Sequence, residues 1–97
     1  MKIKLKASAE KDLLEIYSWY ESQRLGLGKS FLIAFEAKLN LIARNPFLFQ
    51  KFYKNVYRVF LDRFPYQIFY SSQDNLLTVL GVFHFKRSEA YWKQRVK

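Results

Sequence analysis

The sequence predicts an α+β fold in which a helical hairpin packs on one face of an antiparallel meander, in the order β-α-α-β-β-β, followed by a short C-terminal helix. Three observations lead to this class. Apolar residues recur at helical spacing through the first half of the chain, glycines interrupt that pattern once, and the second half is rich in β-branched and aromatic residues. A sheet covered by a helix pair is an ordinary way to bury both apolar surfaces.

The first half carries one predicted strand and two predicted helices. Residues 2–6 alternate lysine with an apolar residue, which is typical of a half-buried edge strand. A helix over Ser8 to Arg24 follows, with Ser8 as its N-cap. The carboxylate of Asp12 near its start stabilises the helix by interacting with the helix dipole. A second helix from Lys29 to Arg44 ends before Pro46, because proline disfavours helix at the residue that precedes it.

The second half changes to strands. Val56 to Asp62, Tyr66 to Ser71 and Leu76 to Phe83 are rich in β-branched or aromatic residues, and short links join them into an antiparallel meander. The third strand is apolar almost throughout, which favours a central position, and Gly81 indicates a bulge or a close backbone approach. A short helix is expected over Ser88 to Val96.

Composition sets the broad class of protein. The 97 residues predict a single domain over residues 1–97, since 51% hydrophobic and 20% aromatic residues can fill one core. The chain has no cysteine, and its one histidine cannot build a metal site alone, so we expect no metal and no cofactor. The N-terminal residues lack the apolar run of a signal peptide, and no stretch approaches the length of a membrane span. We therefore expect a cytoplasmic protein without a membrane partner.

The protein is strongly basic, with a formal net charge of +9 from 17 lysines and arginines against 8 acidic residues. Residues 1–48 carry 8 basic and 5 acidic side chains, or +3, whereas residues 49–97 carry 9 and 3, or +6. The electric field of this excess positive charge attracts a phosphate backbone or an acidic protein, although net charge also serves solubility. We expect Tyr57–Arg95 to meet an acidic macromolecule, and basic and aromatic residues are densest in its last segment, His84–Arg95.

Four residues in this half are candidates for chemistry. The pKa of an ordinary histidine lies near neutrality, so His84 suits proton transfer, although it can equally be a histidine held at a strand end. Arg58 and Arg87 can stabilise a phosphate or form only a solvated basic face. Tyr91 can donate a proton, stack on a base or simply pack. No paired carboxylates, phosphate loop or dinucleotide motif accompanies them, so any nuclease chemistry here is expected to be metal-free.

Several motifs follow one another along the chain. They are Trp19-Tyr20-Glu21, Gly26-Leu27-Gly28, Phe31, Asn45-Pro46, Arg63-Phe64-Pro65-Tyr66-Gln67-Ile68-Phe69-Tyr70, and Val82-Phe83-His84-Phe85-Lys86-Arg87 with the later Tyr91-Trp92 and Arg95. Their order and spacing resemble the RelE/ParE superfamily of toxins from bacterial type II toxin–antitoxin systems, and the Arg-Phe-Pro-Tyr stretch resembles its ParE-like branch. The resemblance covers nearly the whole chain.

The resemblance implies a toxin that an acidic cognate antitoxin neutralises in a hetero-oligomer, laying a helix into a hydrophobic groove. Candidates for the antitoxin contact lie on the helical hairpin: Trp19, Tyr20, Phe31 and Phe35. Candidates for the contact with the cellular target are basic or aromatic: Arg63, Lys86, Trp92 and Arg95.

The superfamily divides by target: RelE-like members cleave mRNA on the ribosome, and ParE-like members inhibit DNA gyrase. The cleaving branch uses a basic pair on the first meander strand, an arginine on the second, an arginine after the last strand and a tyrosine near the C-terminus. Here only Tyr91 matches fully, and Arg58 fits one position of the basic pair. Phe60, Gln67 and about Phe85, which Lys86 and Arg87 follow, stand where other cations are expected. Each missing contact costs about 10²–10³ in rate, so the resemblance favours a gyrase inhibitor.

Two alternatives remain open at this stage. One is a ribosome-dependent mRNA endonuclease in which Arg58, His84, Arg87 and Tyr91 form the site. The other is a non-toxic basic binding module that has lost its activity.

Overall fold

A computed structural model describes residues 1–96, apart from the side chain of Phe52; Lys97, the last residue of the predicted domain, lies outside this range. In these residues the chain forms β1 (Lys2–Leu5), α1 (Ala7–Gln23), α2 (Leu27–Arg44), β2 (Gln50–Tyr53), β3 (Val56–Phe60), β4 (Tyr66–Gln73), β5 (Leu76–His84) and α3 (Glu89–Arg95). The predicted α+β class, the helical hairpin and the short C-terminal helix are confirmed.

Two predictions at the element boundaries are wrong. Ser8 is not the N-cap of α1, because the helix already begins at Ala7; the Lys6 N–H still donates to the Val79 carbonyl at 3.0 Å, so the chain enters the helix directly from the sheet. The strand β2 is absent from the sequence prediction. It is only four residues long and lies at the edge of the sheet, where its register with β3 is irregular.

The sheet has the strand order β1-β5-β4-β3-β2. The strands from β2 to β5 are antiparallel, as the predicted meander requires, while β1 joins β5 in parallel and makes the sheet mixed. The lysine-rich β1 lies at an edge, as expected, and β5 lies inside the sheet between β1 and β4, as its apolar sequence predicts. Phe69 faces Gly81 and Tyr70 faces Val79, so β5 has an extra residue there and the predicted bulge is present.

Both faces of the sheet are buried, by different elements. The larger core lies under the hairpin α1–α2 and includes Ile16, Phe31, Ile42, Ile68, Tyr70, Val79 and Val82. The smaller core lies under α3 and consists of Val56, Phe69, Phe83, Trp92 and Val96. The hairpin therefore covers one face, as predicted, and α3 covers part of the other, where Phe60 stays exposed.

Two predicted antitoxin contacts are part of the larger core. Phe31 is 0% exposed and Phe35 is 3% exposed, and the ring of Phe31 packs on those of Tyr20 and Phe64 at 5.8 and 5.5 Å. An apolar stripe on a helix marks the face that is buried, and here the sheet already buries it. In this structure neither phenylalanine presents a surface to a partner, and a contact of either with the antitoxin stays a prediction.

The turn between α1 and α2 depends on a carboxylate and two glycines. Glu21 accepts the N–H of Gly26 at 3.0 Å and that of Gly28 at 2.9 Å, which satisfies donors at the start of α2. Gly26 has φ +89°, a left-handed conformation that favours glycine. A Cβ at Gly28 would lie 2.7 Å from the Tyr17 carbonyl oxygen, so glycine allows the two helices to approach closely.

Candidate functional site

The helix α3 carries three residues of the predicted site, Tyr91, Trp92 and Arg95, and is anchored at its centre. Ser88 Oγ accepts the Tyr91 N–H at 3.2 Å, which confirms the expected start of this helix after Ser88. Trp92 and Val96 point to the sheet and are 7% exposed each, with the Trp92 ring 5.6 Å from that of Phe69. Trp92 was predicted as a target contact. In this conformation its side chain is packed in the core, and the contact with the target stays a prediction.

The remaining residues of α3 divide between two flanks. On one flank, Arg95 reaches the α1 residue Asp12. On the other, Lys93 lies 5.3 Å from the ring centroid of Tyr53 on β2 and pairs with Glu89 at 2.7 Å. We call these the α1 flank and the β2 flank of α3. The hydrogen bond and the charge of Lys93 hold the pKa of Glu89 below its usual range.

A cavity of about 190 Å³ opens on the α1 flank, between α1, the end of β5 and α3. It brings together three of the four predicted catalytic residues, His84, Arg87 and Tyr91. Other residues that line it are Asp12, Glu15, Trp19 and Tyr66. The cavity therefore combines an arginine, a histidine, two carboxylates and aromatic rings, a mixture that suits the polar contacts of a macromolecular interface.

The histidine at the end of β5 has a defined orientation. His84 Nδ1 accepts the Lys86 N–H at 3.1 Å, so the neutral ring carries its proton on Nε2. The ring stacks on Phe85 at 5.0 Å and meets the edge of Tyr66 at 5.1 Å. The polar tip that remains for a partner is Nε2, a donor in the neutral form.

Two tyrosines and an arginine complete the cavity wall. Burial raises the pKa of the Tyr66 hydroxyl, and the nearby charge of Arg87 opposes that rise only in part, so Tyr66 is protonated at neutral pH. The Arg87 guanidinium carbon lies 4.4 Å from the ring centroid of Tyr91, a cation–π contact. Tyr66 is thus a hydrogen-bond donor rather than a base, and Arg87 is held against an aromatic face.

The Arg95 side chain, predicted to bind the target, is engaged within the protein. Its guanidinium binds both carboxylate oxygens of Asp12, at 2.8 and 3.3 Å, and donates to the Tyr91 hydroxyl at 3.1 Å. Burial disfavours its charge, but the hydrogen bonds and charges of Asp12 and Tyr91 together more than offset this and leave the pKa of Arg95 above its usual value. A contact of Arg95 with the target stays a prediction, and in this structure the guanidinium is already bound to Asp12.

Arg58, the fourth predicted catalytic residue, lies away from that cavity. It sits on the same sheet face as α3, opposite Phe69, and Nε donates to Gln50 Oε1 at 3.4 Å on the β2 flank. Its guanidinium carbon is 5.7 Å from the ring centroid of Phe60, which is 51% exposed. The structure therefore brings together His84, Arg87 and Tyr91 but leaves Arg58 on the opposite flank of α3.

Gln67 occupies the position at which the cleaving branch is expected to have an arginine. It lies on β4 between Phe60 and Phe83 and is 2% exposed. Among the residues that the structure describes, its Oε1 is buried without a hydrogen-bond partner. An amide in this place cannot supply the charge of a guanidinium to a phosphate.

Comparison with known proteins then identifies the family. Residues 3–89 match the family model described as the ParE toxin of type II toxin–antitoxin systems, parDE, so most of the chain is matched. The chain belongs to this ParE toxin family. It is a ParE/RelE-family toxin of a type II toxin–antitoxin system, and membership implies an antitoxin partner. The matched range ends at Glu89, the first residue of α3.

Solved structures agree with this assignment at the level of the fold. A chromosomal ParDE toxin–antitoxin system from P. aeruginosa is similar with a TM-score of 0.76 and 16% identity, covering 87% of this chain and 95% of that chain. The isolated E. coli RelE toxin is similar with a TM-score of 0.62 and 18% identity, covering 96% and 93%. No curated protein sequence matches the toxin significantly.

The other predicted contacts of the toxin are scattered over its surface. Arg63 lies at a different groove of about 440 Å³, together with Lys38 and Arg44 of α2, rather than at the cavity beside α3. Lys86 is exposed next to His84. On the hairpin, Tyr20 is half-buried against Phe31, whereas the ring of Trp19 is 57% exposed and lies at the rim of the cavity.

Within residues 1–96, no group of three histidine, cysteine or acidic side chains is placed to hold a metal ion. Over the same range, no helix is both long and apolar enough to cross a membrane.

The residue that sequence reasoning missed is Asp12. It was interpreted as a helix-dipole residue, but it contacts both β5 and α3.

Proposed function

We propose that this toxin arrests growth by binding DNA gyrase, and that the contact is made by the surface around the end of β5 and the α1 flank of α3. His84, Lys86, Arg87 and Tyr91 form this surface. The observation that carries the proposal is the division of the predicted catalytic residues, because Arg58 lies on the opposite flank of α3 from the other three. The match to a family of ParE toxins, the branch expected to bind gyrase, supports the same target.

The chemistry of the sheet face supports binding over cutting. A metal-free nuclease stabilises the charge that develops on the phosphate with several cations around one point, and each such contact contributes about 10²–10³ in rate. Phe60 and Gln67 occupy two of the positions where such cations are expected, and the Arg95 guanidinium is bound to Asp12. An exposed arginine and aromatic rings, in contrast, are common at the centre of protein interfaces.

The antitoxin proposed here is an acidic protein that binds the hairpin and forms a hetero-oligomer with the toxin. The net charge of +9 supports an acidic partner. Trp19 supports this location on the hairpin, because its large ring is more than half exposed and packs against the half-buried ring of Tyr20. Co-purification with the product of the adjacent reading frame tests this pairing. Both proposed partners are cytoplasmic, in line with the expected location of the toxin.

RNA cleavage is the second candidate, because one cavity does bring together His84, Arg87 and Tyr91. In that case His84 Nε2 or the Tyr91 hydroxyl would transfer the proton and Arg87 would stabilise the phosphate. The two candidates differ in what they require: a nuclease needs a scissile RNA, while a gyrase inhibitor acts on purified gyrase without one.

The deciding experiment measures supercoiling by purified gyrase in the presence of the toxin, together with primer extension on mRNA after induction in cells. We expect supercoiling to fall and no new 5′ ends to form. Arg87→Ala should weaken inhibition by about tenfold, as expected for an interface arginine. Arg24→Ala removes the same charge at the exposed hairpin turn and should have no effect. Growth arrest with normal supercoiling would exclude gyrase, and growth without arrest would favour a non-toxic binding module.

A further inference from the structure

One carboxylate joins three elements at the edge of the sheet. Asp12 on α1 accepts the N–H of Val82 on β5 at 3.1 Å and binds the guanidinium of Arg95 on α3 through both oxygens. The strand β1 ends opposite Val79, so Asp12 supplies an acceptor to β5 just beyond the end of β1. The side chains of Asp12 and Arg95 are 13% and 24% exposed, which limits competition from water.

The local sequence leaves room for this carboxylate. A Cβ at Gly81 would lie 3.2 Å from Asp12 Oδ2 and 2.5 Å from the Phe83 ring. The Phe83 ring in turn lies under Arg95, whose guanidinium carbon is 4.8 Å from the ring centroid. Glycine at position 81 thus lets the carboxylate and the ring approach β5 at the point where they hold the arginine.

The helix α3 depends on attachments of this kind. It has seven residues, and helices of that length are not stable alone in water. Trp92 and Val96 attach it by apolar packing, which is not directional. A two-point ion pair between a guanidinium and a carboxylate fixes both distance and orientation. Arg95 also donates to the Tyr91 hydroxyl at 3.1 Å, so the position of Tyr91 follows that of Arg95.

We propose that Asp12 is a positioning residue that locks α3 to the sheet through Arg95, and that it thereby fixes Tyr91 and Arg87 at the surface that meets the target. The attachment of α3 stands on the contacts of Asp12 alone. The consequence for the target rests on the proposed function. Asp12 itself need not touch the target, since it acts through Arg95.

The test compares toxin variants that all carry Trp19→Phe, so that Trp92 alone reports on α3. Asp12→Asn keeps the size of the side chain but loses its charge, and Arg95→Gln removes the guanidinium while leaving the bond between Asp12 and Val82. In each we expect about a tenfold rise in the undocked population of α3, measured as acrylamide quenching of Trp92 under native conditions. The double variant should be no worse than either single one. Glu10→Gln, a charge change at an exposed α1 residue that lines a different groove with Leu13 and Leu32, should leave quenching unchanged.

The outcomes separate the two parts of the proposal. Trp92 quenching unchanged in Arg95→Gln would overturn the attachment, even if Asp12→Asn failed to fold. A merely structural role would lower the unfolding midpoint without changing quenching of the native protein, and that result too would overturn it. Undocking with full inhibition of gyrase would refute the proposed target surface but leave the attachment intact. Undocking with about tenfold weaker inhibition supports both.

Discussion

The close approach of α1 and α2 at Gly28 leads to the most direct prediction about stability. In the Gly28→Ala variant the new Cβ would lie 2.7 Å from the Tyr17 carbonyl oxygen, 2.8 Å from Tyr17 Cδ1 and 2.9 Å from Glu21 Oε1. A carbon and a carbonyl oxygen normally stay about 3.3 Å or more apart, so the helices must separate by about 0.5 Å. Backbone atoms of α1 form part of the obstacle, so a change of rotamer cannot relieve it.

The magnitude follows from three terms. Overpacking of a well-packed contact costs about 1–3 kcal/mol. Separation also lengthens the bond of the Gly28 N–H to Glu21, now 2.9 Å, and bonds to charged groups are worth about 1.5–3 kcal/mol when lost completely. Replacing glycine by alanine in a helix offsets at most about 1 kcal/mol. We expect a net loss of about 2 kcal/mol, or roughly 10 °C in Tm for a domain of this size.

Thermal and urea unfolding followed by circular dichroism measure this loss. Gly26→Ala is the matched control, because no described atom lies within 4 Å of a Cβ there and only the φ of +89° opposes alanine, at about 1 kcal/mol. Gly26→Asn should cost less, since asparagine tolerates the left-handed conformation. If Gly28→Ala were as stable as the wild type, the close helix contact inferred at Tyr17 would be refuted.

Two further predictions concern a buried hydroxyl and the antitoxin. Tyr70→Phe should lower the free energy of unfolding by about 1 kcal/mol, because the Tyr70 hydroxyl donates to the Pro46 carbonyl at 2.8 Å. Tyr57→Phe is the control and should not lower it, because no hydrogen bond of the Tyr57 hydroxyl is found among the described residues. Burial also raises the pKa of Tyr70 above 10.0, so the hydroxyl ionises in the unfolded chain at a lower pH than in the folded one. The wild type should therefore lose more stability than Tyr70→Phe as the pH rises from about 10 toward the higher pKa. Equal alkaline unfolding of the two proteins would contradict this. Trp19→Ala should weaken binding of the purified adjacent-gene product about 30-fold by calorimetry, with Ser18→Ala unchanged, and an unaltered affinity would remove Trp19 from the interface.

Local patterns in the sequence were enough for most of the secondary structure. The helix pair, β3, β4 and β5 have long periodic segments, and Ser88 marks the start of α3 as a capping residue should. The strand β2 lacks such a pattern, since four residues at a sheet edge show no strong alternation. The Lys6 N–H continues the hydrogen bonds of β1 to β5, and α1 begins at the next residue. The helix therefore starts before Ser8, which cannot be its N-cap.

The site was harder to predict, because its decisive contacts are not local. Asp12 and Arg95 are 83 positions apart, and no spacing rule connects them. Apolar residues such as Phe31 and Trp92 look alike in a sequence whether they face a core or a partner, and here both face a core. Glu21 and Gly28 were recognised as parts of a motif, but only the hydrogen bond and the close helix contact explain why those residue types are required.

The position of α3 bears directly on whether the toxin binds or cuts. A phosphate attacked by a metal-free nuclease must be reached by its proton-transfer group and its cations at once. His84, Arg87 and Tyr91 line a cavity on the α1 flank, while Arg58 lies beside Phe60 on the β2 flank, with α3 between them. Moving α3 aside to unite the two groups would expose Trp92 and break the bond between Arg95 and Asp12. The contacts that keep α3 in place therefore favour a rigid binding surface and oppose a cutting site that uses all four residues.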